Sequence, residues 1–337
     1  MYAVLTIAVA FVASSVGTRV LIDWLAARQV VAVENDRTMH AGPVPQGGGR
    51  AVIAAAVGTA LVMWPWPDWY VVLVPGAAGL AVMSAINDRR NIPFGWRLGA
   101  HLGAAAALLW LIPSQTAIFG GLLPFWIDRA LALLALGWFI NLYNFMDGID
   151  GLAGVETMAI AGGALLVAWR AGVALPLDGL ALAVLGASAG FLVWNWHKAR
   201  IFLGDVGSIP LGFLMSGLLL YVATQVSLAA AVILPLYYLT DATLTLARRL
   251  SRREKVWEPH RTHAYQRAAR TAGSHSAVAV RVGGCNLVLI GAAVVAVASP
   301  MAGLAVAAVS VAALMWTLER MASDGADSQP AAARLRR

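Results

Sequence analysis

The sequence predicts an all-α, polytopic integral membrane protein of about eleven transmembrane helices. Three observations carry that reading. Of its 337 residues, 60% are hydrophobic and only 12% are charged, against roughly 25% charged in an average soluble domain. Mean hydropathy is +0.74, and apolar runs recur at about 17–20 residues, the length that spans a bilayer. The basic residues gather in alternate connections between those runs.

Taken in order, the apolar runs are 2–21, 47–64, 69–86, 98–112, 129–145, 152–169, 179–196, 209–224, 228–246, 282–298 and 301–318. The first begins at once, without a basic flank or a small-residue cleavage site, and reads as a retained helix rather than a signal peptide. Several of the others contain Gly or end on Trp, as transmembrane helices do at an interface. The ninth run carries Asp241 in the half nearer Arg248, and a structural ion pair is its expected role. The tenth holds Cys285, the one cysteine, so no intrachain disulfide can form. Residues 1–320 read as one transmembrane domain and 321–337 as a polar, Ala-rich disordered tail.

The connections 22–50, 87–97, 146–151, 197–208 and 247–281, with the tail after 318, hold 21 of the 24 Lys and Arg residues. The positive-inside rule therefore puts them in the cytoplasm and the N-terminus outside. The net charge of +7 is a topology signal, and no nucleic-acid partner is expected. Asp68, Asp128 and Asp178 fall on the other side and read as solvated. His101 and His197 read as structural.

Polar residues of chemical interest share the basic side. The run Asn141-Leu-Tyr-Asn-Phe-Met-Asp-Gly-Ile-Asp-Gly-Leu-Ala-Gly154 ends a span with two amides and two carboxylates, where facing lipid costs about 2.5–3.5 kcal/mol per charge at the bilayer centre. Asn141, Asn144, Asp147 and Asp150 are three apart and would wind round a regular helix, so Gly148 and Gly151 are expected to break it and turn the carboxylates into a common cleft. Phe202-Leu-Gly-Asp-Val-Gly-Ser208, preceded by Asn195, puts Asp205 between glycines. That setting suits either a Mg²⁺ or phosphate site, or a helix N-cap. Asn87-Asp88-Arg89-Arg90 offers a carboxylate beside cations. His40–Gly49 is glycine-rich, and its backbone can approach a phosphate. In His260-Arg-Thr-His-Ala-Tyr-Gln266 the histidines can clamp an anion, move a proton or form half of a zinc site, but no Cys or third His lies nearby in sequence to complete one. The Arg run before it can equally contact anionic lipid.

These segments, in this order, resemble the polyprenyl-phosphate N-acetylhexosamine-1-phosphate transferases of the glycosyltransferase 4 type, which also include the phospho-MurNAc-pentapeptide translocase. The resemblance runs from about residue 35 to 270 and rests on Pro43–Gly49, Asn141–Leu152, Phe202–Ser208 and His260–Gln266. The last is most similar to the branch that initiates O-antigen and lipopolysaccharide synthesis. The resemblance implies a cytoplasmic-face active-site cleft that transfers a sugar 1-phosphate from a UDP-N-acetylhexosamine to undecaprenyl phosphate, releasing UMP. It implies Mg²⁺, with Mn²⁺ as a substitute, held by Asp205 with Asp147. It places Asn144, Asp150, Asn195 and Phe202 at the nucleotide, His260, Arg261 and His263 at the diphosphate, and Asp88 near the lipid phosphate as the favoured base. It further implies a bacterial inner-membrane enzyme, and relatives of this type are often dimeric, although no residue here identifies an interface. Two positions depart from the pattern: Asn87 stands where most relatives carry a carboxylate, and Gln46 where a basic residue is frequent. A lipid-linked sugar transporter and a catalytically degenerate scaffold are the competing readings.

Overall fold

The computed structural model describes residues 1–28, 44–256 and 260–327. Its elements are helical: α1 (Tyr2–Ala27), α2 (Gly49–Met63), α3 (Tyr70–Arg90), α4 (Phe94–Trp110), α5 (Phe125–Phe145), α6 (Leu152–Ala171), α7 (Asp178–Asn195), α8 (Asp205–Gln225), α9 (Leu228–Ile233), α10 (Leu236–Ser251), α11 (Ala264–Ala272), α12 (His275–Ala298) and α13 (Pro300–Asp327). The all-α, polytopic architecture is as predicted. Among the described residues, eight helices are long and apolar enough to cross a membrane: α1, α3, α5, α6, α7, α8, α12 and α13. The shorter α2 is also apolar.

The expected count of eleven spans is therefore not reached on length and composition. The fourth expected span is the 17-residue α4, which begins at Phe94 and so carries Arg97 on its first turns. The ninth is broken into α9 and α10 around Leu234-Pro235, because proline lacks the N–H that a continuous helix needs and its ring clashes with the preceding turn. Much of the connection 247–281 is helical as well, in the end of α10, in α11 and in the first turns of α12. At the C-terminus, α13 runs through the first residues of the expected tail, and 328–337 lie outside the described residues.

Small residues set the closest helix contacts, as expected where lipid removes the hydrophobic drive to associate. A Cβ on Gly186 or Gly190 of α7 would lie 2.3 Å from the Ile7 carbonyl oxygen or 2.2 Å from that of Phe11 on α1. The Trp194 indole N–H donates to Ser15 O at 3.0 Å, so α1 and α7 run in parallel. The central helix is α8: 89% of its apolar window is buried inside the protein, against 22% for α1. Its first residue, Asp205, consequently sits in the middle of one end of the bundle.

That end also collects the C-terminal ends of α3, α5 and α7 and the N-terminal ends of α2, α4, α6 and α12, as the contacts below establish. At the far end the expectation for Asp128 fails. It is 2% exposed, and its carboxylate accepts from the amides of Ile118 at 3.1 Å and Phe119 at 2.9 Å. An acidic residue in a first helical turn can satisfy loop N–H groups, and here those groups belong to the preceding loop. Asp68 is exposed, as expected.

Candidate functional site

The glycine triplet and the Asp205 loop form one unit. Phe202 N–H donates to Pro45 O at 2.9 Å, while Gly47 and Gly48 donate to Phe202 O at 3.0 and 2.9 Å and Gly49 to Leu203 O at 3.0 Å. Gln46 and Phe202 thus form a parallel bridge. The start of α2 meets the start of α8 so closely that a Cβ on Gly49 would lie 2.1 Å from Gly207 Cα. The triplet therefore supports the Asp205 loop directly. His40 and Pro43, from the same motif, lie outside the described residues.

Asp205 opens α8 directly after Gly204, whose φ is +73°. Its Oδ2 accepts from Arg97 Nη2 at 3.2 Å, with the two side chains 20% and 26% exposed. Asp88, at the end of α3 and exposed, interacts electrostatically with Asp205, Arg50 and Arg97. Two carboxylates and two guanidiniums from four separate segments therefore share one pocket. Asn87 has a structural use: its Oδ1 accepts from Ile92 N–H at 3.0 Å and shapes the turn after α3. His101, one turn beyond Arg97, is 1% exposed and packs behind the pair, consistent with a structural residue.

The Asn141–Gly154 run breaks as its glycines imply. Asn144 is buried on the last turn of α5, Asp147 is half-buried in the following turn, and Gly151 adopts φ +77° before α6. Tyr143 and Ile140 of α5 pack on Gly212 of α8, so Asp147, one turn beyond Tyr143, lies at the same end as Asp205. Asn195 joins two loops: its Oδ1 accepts from Gly151 N–H and its Nδ2 donates to Ile201 O, both at 2.9 Å. Asp150 is 1% exposed, and its Oδ2 lies 3.1 Å from Ala199 N and 3.0 Å from His197 Nδ1. His275, the first residue of α12, places Nδ1 3.4 Å from Asp150 Oδ1.

The histidine segment docks on the same turn. Tyr265 O–H donates to Phe145 O at 2.8 Å, and a side chain on Gly148 would collide with Tyr265 Oη. His260 stacks on His263 with centroids 4.9 Å apart, and Phe145 lies 6.3 and 6.5 Å from the two rings. His260 is half-buried, like Arg261 beside it, whereas His263 is 2% exposed. His263 caps α11, its N–H donating to Gln266 Oε1 at 3.4 Å. Beneath it, Asp241 accepts from Ala264 N–H at 3.0 Å and Tyr265 N–H at 3.2 Å, with His263 Nδ1 3.6 Å away. The expected pairing of Asp241 with Arg248 is not found. Arg248 instead faces Glu319 on α13 at 3.4 Å.

All ten sequence-derived site residues thus lie on loops or helix ends at one end of the bundle, in two groups. Asp88, Asp205 and Phe202 surround the start of α8. Asn144, Asp147, Asp150, Asn195, His260, Arg261 and His263 surround the 146–151 turn. Sequence reasoning missed four contributors. Arg97 counted only toward topology; His275 drew no comment; and Asp241 drew the wrong partner. Glu156 was passed over although it is the acidic residue inside the apolar run 152–169. It is fully buried, and Asn286 Nδ2 donates to its Oε2 at 2.8 Å.

Membrane-length helices with carboxylates, guanidiniums and imidazoles collected at one end define a polytopic membrane protein with a charged, loop-built site. The sequence model of glycosyl transferase family 4 matches residues 70–223, from the start of α3 to the last turn of α8. It is also similar to a Bacillus subtilis (strain 168) protein described as a probable undecaprenyl-phosphate N-acetylglucosaminyl 1-phosphate transferase. The two are 25% identical over 263 residues, which is 72% of this chain and 70% of the relative.

Proposed function

We propose that the protein transfers an N-acetylated hexosamine 1-phosphate from a UDP-sugar to undecaprenyl phosphate. The products are undecaprenyl diphosphate-sugar and UMP, in the first membrane step of a cell-surface polysaccharide pathway of the O-antigen type. The observation that carries this reading is the pocket at the start of α8, where Asp205, Asp88, Arg97 and Arg50 meet at the end of a membrane bundle. The match to the glycosyl transferase family 4 model and the description of the Bacillus relative support it.

An oxygen of the lipid phosphate attacks the phosphorus that bears the sugar. The bond from that phosphorus to the oxygen bridging it to the nucleotide phosphate breaks, and UMP leaves with the electron pair. Near neutral pH the lipid phosphate is largely ionised, so Asp88 has little proton to remove and serves chiefly to orient the nucleophile. Arg97, fixed by Asp205, and Arg50 offset charge on the transferring group, the main task in phosphoryl transfer. Asp205 and Asp147 offer the hard carboxylate oxygens that Mg²⁺ prefers, few in number so that substrate oxygens can complete the shell. Once bound, Mg²⁺ supplies further neutralisation of the diphosphate. His260 and Arg261 face the diphosphate, and Phe202 offers a ring for the uracil. Asn144 contacts the nucleotide, while Asp150 and Asn195 fix the loops around it. We place the protein in a bacterial inner membrane with the site toward the cytoplasm.

The test is release of UMP by purified protein supplied with Mg²⁺, undecaprenyl phosphate and a panel of UDP-N-acetylhexosamines, with mass analysis of the lipid product. Asp205→Asn is expected to lower turnover by about 10²–10³-fold, the scale for loss of an essential electrostatic group, without loss of expression. Absence of UMP across the panel would overturn the proposal, and movement of labelled lipid without UMP would replace it with a transporter.

A further inference from the structure

We propose that Asp150, His197 and His275 form a binding site for a divalent transition-metal ion, with Zn²⁺ the best match, separate from the carboxylate pocket around Asp205. The three residues come from the 146–151 turn, the segment after α7 and the first residue of α12. Their donor atoms all lie within 4.8 Å of one another. Two imidazole nitrogens and one carboxylate oxygen suit zinc, whereas Mg²⁺ prefers oxygen alone.

The geometry gives the physical reason. His275 Nδ1 lies 3.4 Å from both the amide nitrogen and Oδ1 of Asp150. Both residues are buried, at 6% and 1% exposure, so a cation held between their donor atoms is shielded from water. His197 Nδ1, 3.0 Å from Asp150 Oδ2, brings the third donor. A tetrahedral zinc with ligands at about 2.0–2.1 Å holds its donors roughly 3.4 Å apart, so these side chains need only small shifts. His197 is the partly exposed member, its side chain 27% accessible, and it gives the ion a path in and leaves a fourth position for water. Bound there, the ion ties together three segments that line the 146–151 turn. This site does not depend on the transferase reading.

Tag-free, full-length protein in detergent, stripped by a chelator, is titrated with Co²⁺ and then Zn²⁺. The expected result is on the order of one ion per chain, with the intense visible bands of tetrahedral cobalt, displaced by zinc. His197→Gln and His275→Ala are expected to weaken binding by about 100-fold or more, beyond the usual cost of losing an outer-shell partner. Asp205→Asn should bind like the unaltered chain. If His275→Ala does not fold, His197→Gln at the partly exposed position decides. Absence of a cobalt spectrum and of retained zinc would mean that a proton alone fills the gap, and the proposal fails. It fails equally if both histidine variants bind normally, or if Asp205→Asn abolishes binding.

Discussion

The Asp241 carboxylate accepts from Tyr237 and Thr245 on its own helix and from the amides of Ala264 and Tyr265 on the next. It is fully buried, so each donor would be left unsatisfied in its absence, at about 1–3 kcal/mol per group. Asp241→Leu is therefore expected to destabilise the protein by roughly 3 kcal/mol or more and to release the histidine segment, making residues 260–266 sensitive to protease. Arg248→Ala, which removes an exposed ion pair with Glu319, should change stability by less than about 1 kcal/mol. Thermal unfolding in detergent and limited proteolysis of the two variants check the contrast; similar behaviour would remove Asp241 from this role. The sequence shows that Asp241 must have a partner, but helical spacing exposes only neighbours such as Arg248. Tyr237 and Thr245 do sit at helical spacing, but the amides that tie Asp241 to the histidine segment lie more than 20 residues away, across a break that spacing cannot cross. Asp147 was legible as a carboxylate at the end of an apolar run, and Asp205 and His263 because a glycine-flanked acid and a spaced histidine pair in the basic connections carry the resemblance. His275 was not, because it gains meaning only from Asp150, 125 positions earlier.

At the level of elements, the apolar runs reveal most helices, since a bilayer demands length and hydrophobicity and both are written along the chain. They fail where tertiary structure overrides them. Pro235 divides a run of span length, and the nine-residue, strongly amphipathic α11 is hidden in a basic connection. The glycine triplet is a subtler case. Its composition points to a backbone that can approach phosphate, whereas Gly49 is required for the contact between α2 and α8. Gly49→Ala forces a Cβ to 2.1 Å from the Gly207 backbone, and overpacking of this kind costs about 1–3 kcal/mol. Because Gly207 lies two residues after Asp205, the strain falls on the pocket as well. Activity is expected to drop further than stability alone accounts for. Gly58→Ala, in the same helix with nothing within 4 Å of its Cβ, should leave both unchanged. Melting temperature and UMP release measured on the pair test this, and equal effects would show that the close approach is not what matters.

For the molecule as a whole, the charge distribution and the fold identify the same end. Arg50, Arg97, Lys198 and Arg200 belong to segments that meet around Asp205 and Asp150, while Arg129 binds the carbonyls of Pro113 and Thr116 at the opposite end. The translocation bias acts on Lys and Arg in short loops during insertion. On the proposed orientation the site faces the compartment where nucleotide sugars are made, as the proposed reaction requires. The prediction can be read by labelling, because Cys285, the one native thiol, is buried at 8% exposure and gives little background. Gly95→Cys introduces a thiol at the site end, where a Cβ meets nothing within 4 Å; Ser114→Cys introduces one on an exposed loop at the far end. In intact spheroplasts, a membrane-impermeant maleimide is expected to label Ser114→Cys and spare Gly95→Cys, which should react only after permeabilisation. The reverse pattern would put the charged pocket outside, away from its nucleotide substrate, and would overturn both the orientation and the cytoplasmic transferase built on it.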